Sequence, residues 1–400
     1  MLIQKNILKN HNKCKSKIIL MISNLYMFLI TLSMKVSYYN YKRMNEFLRS
    51  DIGKELEILL SLDTDSELFR YQYKNEKNIG KALGSGYAIG MSSGTTALQF
   101  SLTALGIGKN DEVITVPNTY IATLLAISNT GAKPVLADVS PDTMLIDTNK
   151  IEEKITEKTK AIIPVHLYGQ MANMEKIREI AKKYGLYVIE DACQAHLARY
   201  NGKLPGSISY AACYSFFPNK CLGGISNGGM VITKSRKLYK KLEILRNPTS
   251  NNPLLLKSLR TPAYLDWIEI AFIKCRMKYL KDWTKKRREI AKIYYEELDD
   301  LPITLPATDK KAYHVFRDFA IRTDKRDRLC RYLKRKGIQT VIQYPQPVHL
   351  SLTYKYLGYK RGGFPISEKA CSTVLSLPIN PFLSDSDVEY VIKKIKDFFK

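Results

Sequence analysis

The sequence predicts an α/β fold: a large domain on a mostly parallel seven-stranded sheet sandwiched by helices, followed by a smaller C-terminal α+β domain. Three observations carry this. Between residues 87 and 233, seven short β-rich runs alternate with helical patterns, the layout of parallel strands joined by helical crossovers. A segment rich in Asn and Pro at 246–265 interrupts the alternation. Beyond it, residues 313–400 mix strand and helix patterns. With 400 residues, 45% hydrophobic and 25% charged, the chain has material for two or three packed domains.

Taken in order, residues 1–48 stand apart as an extension. Positions 1–50 hold nine Lys or Arg against one Glu, so +8 of the net +25 sits there. An apolar run at 18–32 follows Lys13, Lys15 and Lys17, as in a signal peptide, but no small-residue cleavage site follows. The run is also short of the roughly 20 apolar residues of a membrane span. A reading frame opened too far upstream, with Met34 or Met44 as the real start, is the preferred explanation. No later run is long enough to cross a bilayer, so a membrane is not an expected partner.

The large domain is placed at 49–284. Its strands are predicted at 87–91, 113–116, 134–138, 161–166, 186–191, 211–216 and 230–233. A helix after Thr95 puts Leu98, Leu102 and Leu105 on one face and closes at Gly106. Another, at 174–184, turns Ile177, Ile180, Ala181 and Tyr184 inward ahead of Gly185. A long helical stretch rich in Lys and Arg spans 267–298. The small domain, 285–400, has strand patterns at 316–321 and 340–343 and helical patterns at 326–336 and 386–399.

Composition narrows the function classes. Sixty-three Lys and Arg against 38 Asp and Glu favour anionic partners, although the charges are spread as on a solvated basic surface. Seven cysteines, an odd number with no CxxC pair, argue against a disulfide framework and a structural zinc site and point to a reducing, cytoplasmic setting. Five scattered histidines without HExxH spacing give no metal centre. No helix-turn-helix, finger or RNA-binding signature accompanies the charge, so nucleic acid is not an expected partner.

Three motifs carry chemistry. Ser92-Ser93-Gly94-Thr95-Thr96 joins a strand to a helix, where Gly94 allows close backbone approach and the Thr95 and Thr96 hydroxyls and first-turn amides suit a phosphate. Taken alone, the same residues serve equally as an ordinary N-cap. Glu190-Asp191 ends a buried strand, and a carboxylate there either holds a heterocyclic nitrogen in its protonated form or caps the next loop. Lys220, in the aromatic setting of Tyr214, Phe216 and Phe217, has walls of low dielectric that favour a nucleophilic amine, against the prior that most lysines are solvated. A phosphate cradle, an acid for a ring nitrogen and an amine 29 residues after the acid together fit pyridoxal 5'-phosphate.

From about residue 51 to the C-terminus the chain resembles the DegT/DnrJ/EryC1/StrS family. The motifs, in the family's order, are SSGTTAL (92–98), VPNTYIAT (116–123), AIIPVHLYGQ (161–170), EDACQAH (190–196), YSFFPNK (214–220), GGM (228–230), KKRREIAKIY (285–294), QYPQPVHL (343–350) and VLSLPINPFL (374–383). The resemblance implies a fold-type-I aminotransferase, a homodimer, that moves an amino group from L-glutamate to a nucleotide-linked keto-sugar for amino-sugar and polysaccharide biosynthesis. It makes Lys220 the Schiff-base lysine and proton carrier and Asp191 the pyridinium partner. Gly94, Thr95, Thr96 and Ser215 become the phosphate cradle, Tyr120 the ring-stacking aromatic and Gln194 the residue near the ring hydroxyl. His196, Tyr344 and His349 are implied on the substrate side. Sugar dehydratases of the family carry His in place of the lysine, so Lys220 points to amine transfer; a regulatory, non-catalytic protein is the alternative from another class. The chain departs from the pattern at Pro262 and Tyr264, where relatives have Asn and Arg, at Asn227 for an acid, and at Gln343 for His.

Overall fold

The computed structural model describes residues 34–84, 86–247 and 262–400. Two helices lead, α1 (Tyr41–Leu60) and α2 (Asp65–Ala82). The second opens on a capping box: Thr64 Oγ1 accepts from the Glu67 amide and the Glu67 carboxylate accepts from the Thr64 amide. The alternation then runs β1 (Tyr87–Met91), α3 (Gly94–Ala104), β2 (Glu112–Thr115), α4 (Ile121–Ser128), β3 (Lys133–Leu136), β4 (Thr159–Ile162) and α5 (Met174–Tyr184). It continues through β5 (Tyr187–Asp191), the two-residue β6 (Arg199–Tyr200), β7 (Ala211–Ser215), β8 (Gly229–Thr233) and α6 (Arg236–Arg246).

Seven strands form one sheet in the order β1-β8-β7-β5-β4-β2-β3. Neighbours pair parallel except β8, which is antiparallel to both β7 and β1. No helix stands between β7 and β8 to carry a parallel crossover, so the chain turns straight back. The strands are buried on both faces, with the two-residue alternation of a pleated strand. Ile114, Ile162, Val188, Tyr214 and Ile232 enter one core with Ile177 and Ile180 of α5. Val113, Ala161, Ile189, Cys213 and Val231 enter the other with Ala97, Leu98 and Leu102 of α3.

The remaining elements are α7 (Trp267–Met277), α8 (Leu280–Leu298), β9 (Ala312–Tyr313), β10 (Phe319–Arg322), α9 (Arg326–Arg335), α10 (Pro365–Thr373), β11 (Val374–Leu377) and α11 (Asp385–Phe399). Ile290, Tyr294, Leu298, Phe319, Leu333, Leu377 and Val391 make a third core. Val36 belongs to it too, and Tyr38 donates to Asp318, so residues 34–48 are packed into the fold. Residues 1–33, with the apolar run, lie outside the described residues, as do residues 248–261, most of the segment expected to be a loop.

Four expected elements differ. The strand expected at 161–166 is observed as Thr159–Ile162, because Pro164 has no amide to donate and pairing resumes only at the Val165–Asp191 bridge. The helix expected over 267–298 is two helices broken at Lys278-Tyr279. The Tyr279 amide bonds the Arg276 carbonyl three residues back, and its hydroxyl donates to Asp51 Oδ2 at 2.8 Å. A tertiary anchor thus breaks a stretch that holds neither Gly nor Pro. The strand expected at 316–321 starts only at Phe319, because Phe316 sits at φ 46°. At 340–343 a single bridge, Val341 to Ser376, replaces a strand.

Candidate active site

Strands β1, β7, β5, β4 and β2 run in one direction, so the chain segments that leave their carboxyl ends converge on one edge of the sheet. There they line a cavity of about 320 Å³. Gly94 and Thr95 reach it from the start of α3, Asp191 from the end of β5, Ser215 from the end of β7, and Lys220 from the turn after it. Tyr120, Gln194 and Tyr344, also expected at the site, lie in its wall.

The end of the cavity at the start of α3 is shaped by close backbone packing. A Cβ on Gly94 would lie 2.7 Å from Cys193 Sγ and 2.9 Å from Ser215 Cβ, so glycine alone lets α3 start here. A Cβ on Gly229 of β8 would lie 2.6 Å from the Gly94 nitrogen. Ser93 caps the helix by accepting from the Thr96 amide at 3.0 Å. The Thr96 hydroxyl does not line the cavity: it bonds Ser93 Oγ at 2.8 Å and Ser92 Oγ at 3.1 Å, so it locks the cap while Thr95 and Ser215 face the site.

Asp191 is buried and doubly held. Thr123 Oγ1 donates to its Oδ2 at 2.8 Å, the Thr119 hydroxyl backs Thr123 at 2.8 Å, and the Cys193 amide donates to Oδ1 at 3.2 Å. Those bonds fix the direction of the carboxylate. Lys220 is half-buried, and its amine is pushed below the usual lysine range by burial and then by the Arg317 guanidinium. Its backbone turn is closed by its own amide on the Phe217 carbonyl at 2.9 Å.

Gln194 is fixed at both ends: its Oε1 accepts from the Tyr168 amide at 2.8 Å, and its Nε2 donates to Tyr344 Oη at 3.1 Å. Tyr120 is 57% exposed, and its ring lies 5.8 Å from that of Tyr344. It therefore has a free face at the mouth.

His196 and His349 are not brought to the cavity. His196 is fully buried between Tyr214 and Phe216, ring centroids 5.2 and 5.9 Å away. Burial, then the Lys220 charge, hold its imidazole down to about 3, so it packs as a neutral ring behind the site. His349 is buried beside Phe364, with Nε2 at 3.2 Å from Glu368 Oε1. Burial lowers its basicity as well, against the opposing Glu368 bond.

Sequence reasoning missed Arg317, Thr123 and Asn219, all in the cavity wall. Arg317 is buried, pairs with Asp318, and donates to Gln343 Oε1 at 2.8 Å and to the Asn219 carbonyl at 3.2 Å. No local pattern marks it. Thr123 had a signal, four residues after Thr119 on a helix that follows a strand end.

The donor set fits pyridoxal phosphate: a glycine-made helix N-terminus with hydroxyls for the phosphate, a hydrogen-bonded buried carboxylate for a ring nitrogen, and an amine of lowered basicity. Comparison with known proteins agrees. A "pleiotropic regulatory protein" of Geobacillus stearothermophilus is 43% identical over 333 residues, 82% of this chain and 90% of its own. A dTDP-3-amino-3,6-dideoxy-alpha-D-galactopyranose transaminase of Aneurinibacillus thermoaerophilus is 44% identical over 326 residues, 81% and 88% of the two chains. The crystal structure of NtdA from Bacillus subtilis, with bound cofactor PMP, superposes with a TM-score of 0.80 at 31% identity, covering 92% of this chain and 85% of that one. The profile of one family matches residues 53–396. The chain belongs to the DegT/DnrJ/EryC1/StrS aminotransferase family and is a pyridoxal-phosphate-dependent aminotransferase.

Proposed function

We propose that this protein transfers an amino group from L-glutamate to the keto group of a nucleoside-diphosphate sugar, as a cytoplasmic homodimer that feeds amino-sugar and polysaccharide synthesis. One observation carries the reading: Lys220, Asp191 and the start of α3 open into a single cavity whose wall also holds Tyr344 and Gln194. When bound, pyridoxal phosphate supplies an aldehyde that takes up amines and a ring that accepts electron density.

The chain's own residues do the rest. Asp191, aimed by Thr123 and the Cys193 amide, orients a protonated ring nitrogen. The amides of Gly94 and Thr95 and the Ser215 hydroxyl anchor the phosphate. Lys220 Nζ, made less basic by burial and Arg317, takes and returns the proton at the reacting carbon. The sugar specificity is supported by the transaminase relative, whose name gives a 3-amino sugar. The six described cysteines are free, in keeping with a reducing compartment. Among the described residues no helix is long and apolar enough to cross a membrane.

The test is incubation of the holoenzyme with nitrogen-15 L-glutamate and a panel of nucleotide-linked 3-keto and 4-keto sugars. The expected result is a labelled amino sugar from one 3-keto substrate and none with Lys220→Ala. Transfer to no member of the panel, by an enzyme that retains its chromophore, defeats the proposal.

A further inference from the structure

Lys220 stands in the wall between two spaces. Besides the main cavity, which Asp191 lines, it borders a second, smaller pocket of about 40 Å³ that Asp191 does not line. It is rimmed by Tyr38, Tyr39 and Tyr41 and holds three arginines: Arg276 of α7, Arg287 of α8, and Arg317. Asn219, Lys220 and Arg317 line both spaces.

The charges there are unevenly balanced. Arg317 has Asp318, and Arg276 donates to the carbonyls of Gly223 and Gly224 at 2.6 and 2.7 Å. Arg287 has a single long bond among the described residues, Nη1 to the Trp283 carbonyl at 3.5 Å. Neither Arg287 nor Lys220 forms an ion pair among the described residues. Three buried polar atoms of the lining residues lack any partner: Arg276 Nε and Arg317 Nε, which are donors, and Asn219 Oδ1, an acceptor. Unsatisfied buried polar groups are costly and call for an explanation, an unseen ligand among them.

We infer that this pocket receives a carboxylate of the amino-acid donor, with Arg287 as its main cationic contact. The inference rests on the transaminase reading above. Size decides against the nucleotide: at about 10–15 Å³ per water-sized group, the pocket has room for about three heavy atoms, a carboxylate but not a diphosphate. Complementarity decides in the same direction. A carboxylate brings acceptor oxygens for Arg287, Arg276 and Arg317, and the attached amine, outside the three-atom space, brings a donor for Asn219, which lines both spaces; an ionised diphosphate carries no donor. Position agrees, because the donor's nitrogen must reach the carbon that Lys220 serves, and the α-carboxylate is one carbon away from that nitrogen.

The experiment uses the holoenzyme and Arg287→Met, which removes the least committed cation from a half-buried helical site. The KM for the amino donor rises about tenfold or more, the worth of one charge-assisted hydrogen bond, while the KM for the nucleotide sugar stays within about twofold. Arg287→Lys recovers part of the loss. If the pocket takes the α-carboxylate, the KM of L-alanine rises with that of L-glutamate; if it takes the distal one, only glutamate suffers. Calorimetry with glutarate gives a reading independent of turnover: it binds about tenfold or more weaker to Arg287→Met. A donor KM and glutarate affinity both within about twofold of the parent, or a sugar KM that rises with the donor KM, overturns the inference. Should the enzyme aminate no sugar yet lose glutarate binding on Arg287→Met, the pocket stands and the proposed function falls.

Discussion

Thr123→Val removes one hydroxyl from the α4 turn and changes little else in shape. The hydroxyl donates to Asp191 Oδ2 at 2.8 Å, and Thr123 and Asp191 are 1% and 6% exposed, so water cannot readily take its place. A hydrogen bond to an ionised group contributes about 1.5–3 kcal/mol, and the Thr119 hydroxyl at 2.8 Å loses its partner as well. The cofactor-free protein is therefore expected to lose about 2–3 kcal/mol in urea unfolding at pH 7.5. Thr123→Ser keeps the hydroxyl and loses only a methyl, about 1 kcal/mol. Pyridoxal phosphate, titrated by its absorbance, should bind Thr123→Val at least about tenfold more weakly, the expected outcome of the proposed contact between Asp191 and the ring nitrogen once the carboxylate is no longer aimed. If the valine variant matched the serine variant in both stability and cofactor affinity, the assignment of Thr119-Thr123-Asp191 as an orienting relay would be wrong.

Gly94→Ala brings a Cβ to 2.7 Å from Cys193 Sγ and 2.9 Å from Ser215 Cβ, so α3 must shift; about 1–3 kcal/mol of stability should go, with a weaker cofactor affinity in the same absorbance titration. Glu76→Gln strands the buried Arg246 guanidinium, now held at 2.6 Å, and should cost about 3–5 kcal/mol in a denaturant titration, more than an exposed pair such as Lys176–Glu179. His196 and His314 are both held down to about 3 by burial, against an ordinary 6.5, so the unfolded chain binds more protons in that interval. Their stability contribution is present above pH 6.5 and is lost as pH falls toward 3, by about 1.4 kcal/mol per pH unit for each, and His196→Phe should remove one proton's worth of that slope in urea midpoints measured across it.

Much of the sheet was readable in the chain because its determinants are local. Runs of Val, Ile and Ala bounded by turns place most strands within a residue or two, as at Tyr87–Met91, though β4 ends four residues before its expected end, and Asn173 and Gly185 bracket α5 as caps must. Lys220, Asp191 and Gly94 were readable too, since each follows a strand end, where an open parallel sheet gathers ligand contacts. The break at Tyr279 was not, because a bond to Asp51, far off in sequence, makes it. For His196 a core position stood beside a substrate role, and its neighbours in sequence could not choose; Tyr214 and Phe216, further along the chain, enclose the ring.

Order along the chain thus determined the α/β class, the family motifs and the residues proposed to meet the cofactor, because these depend on spacing over a few residues. Only the tertiary structure decided which of those side chains share one cavity, that Thr96 closes a cap and His349 faces Glu368, and that Arg287, Arg276 and Arg317 converge behind Lys220. The reason is physical: burial, desolvation and the pairing of charges are set by neighbours brought together from distant parts of the chain, and no short window of sequence contains them.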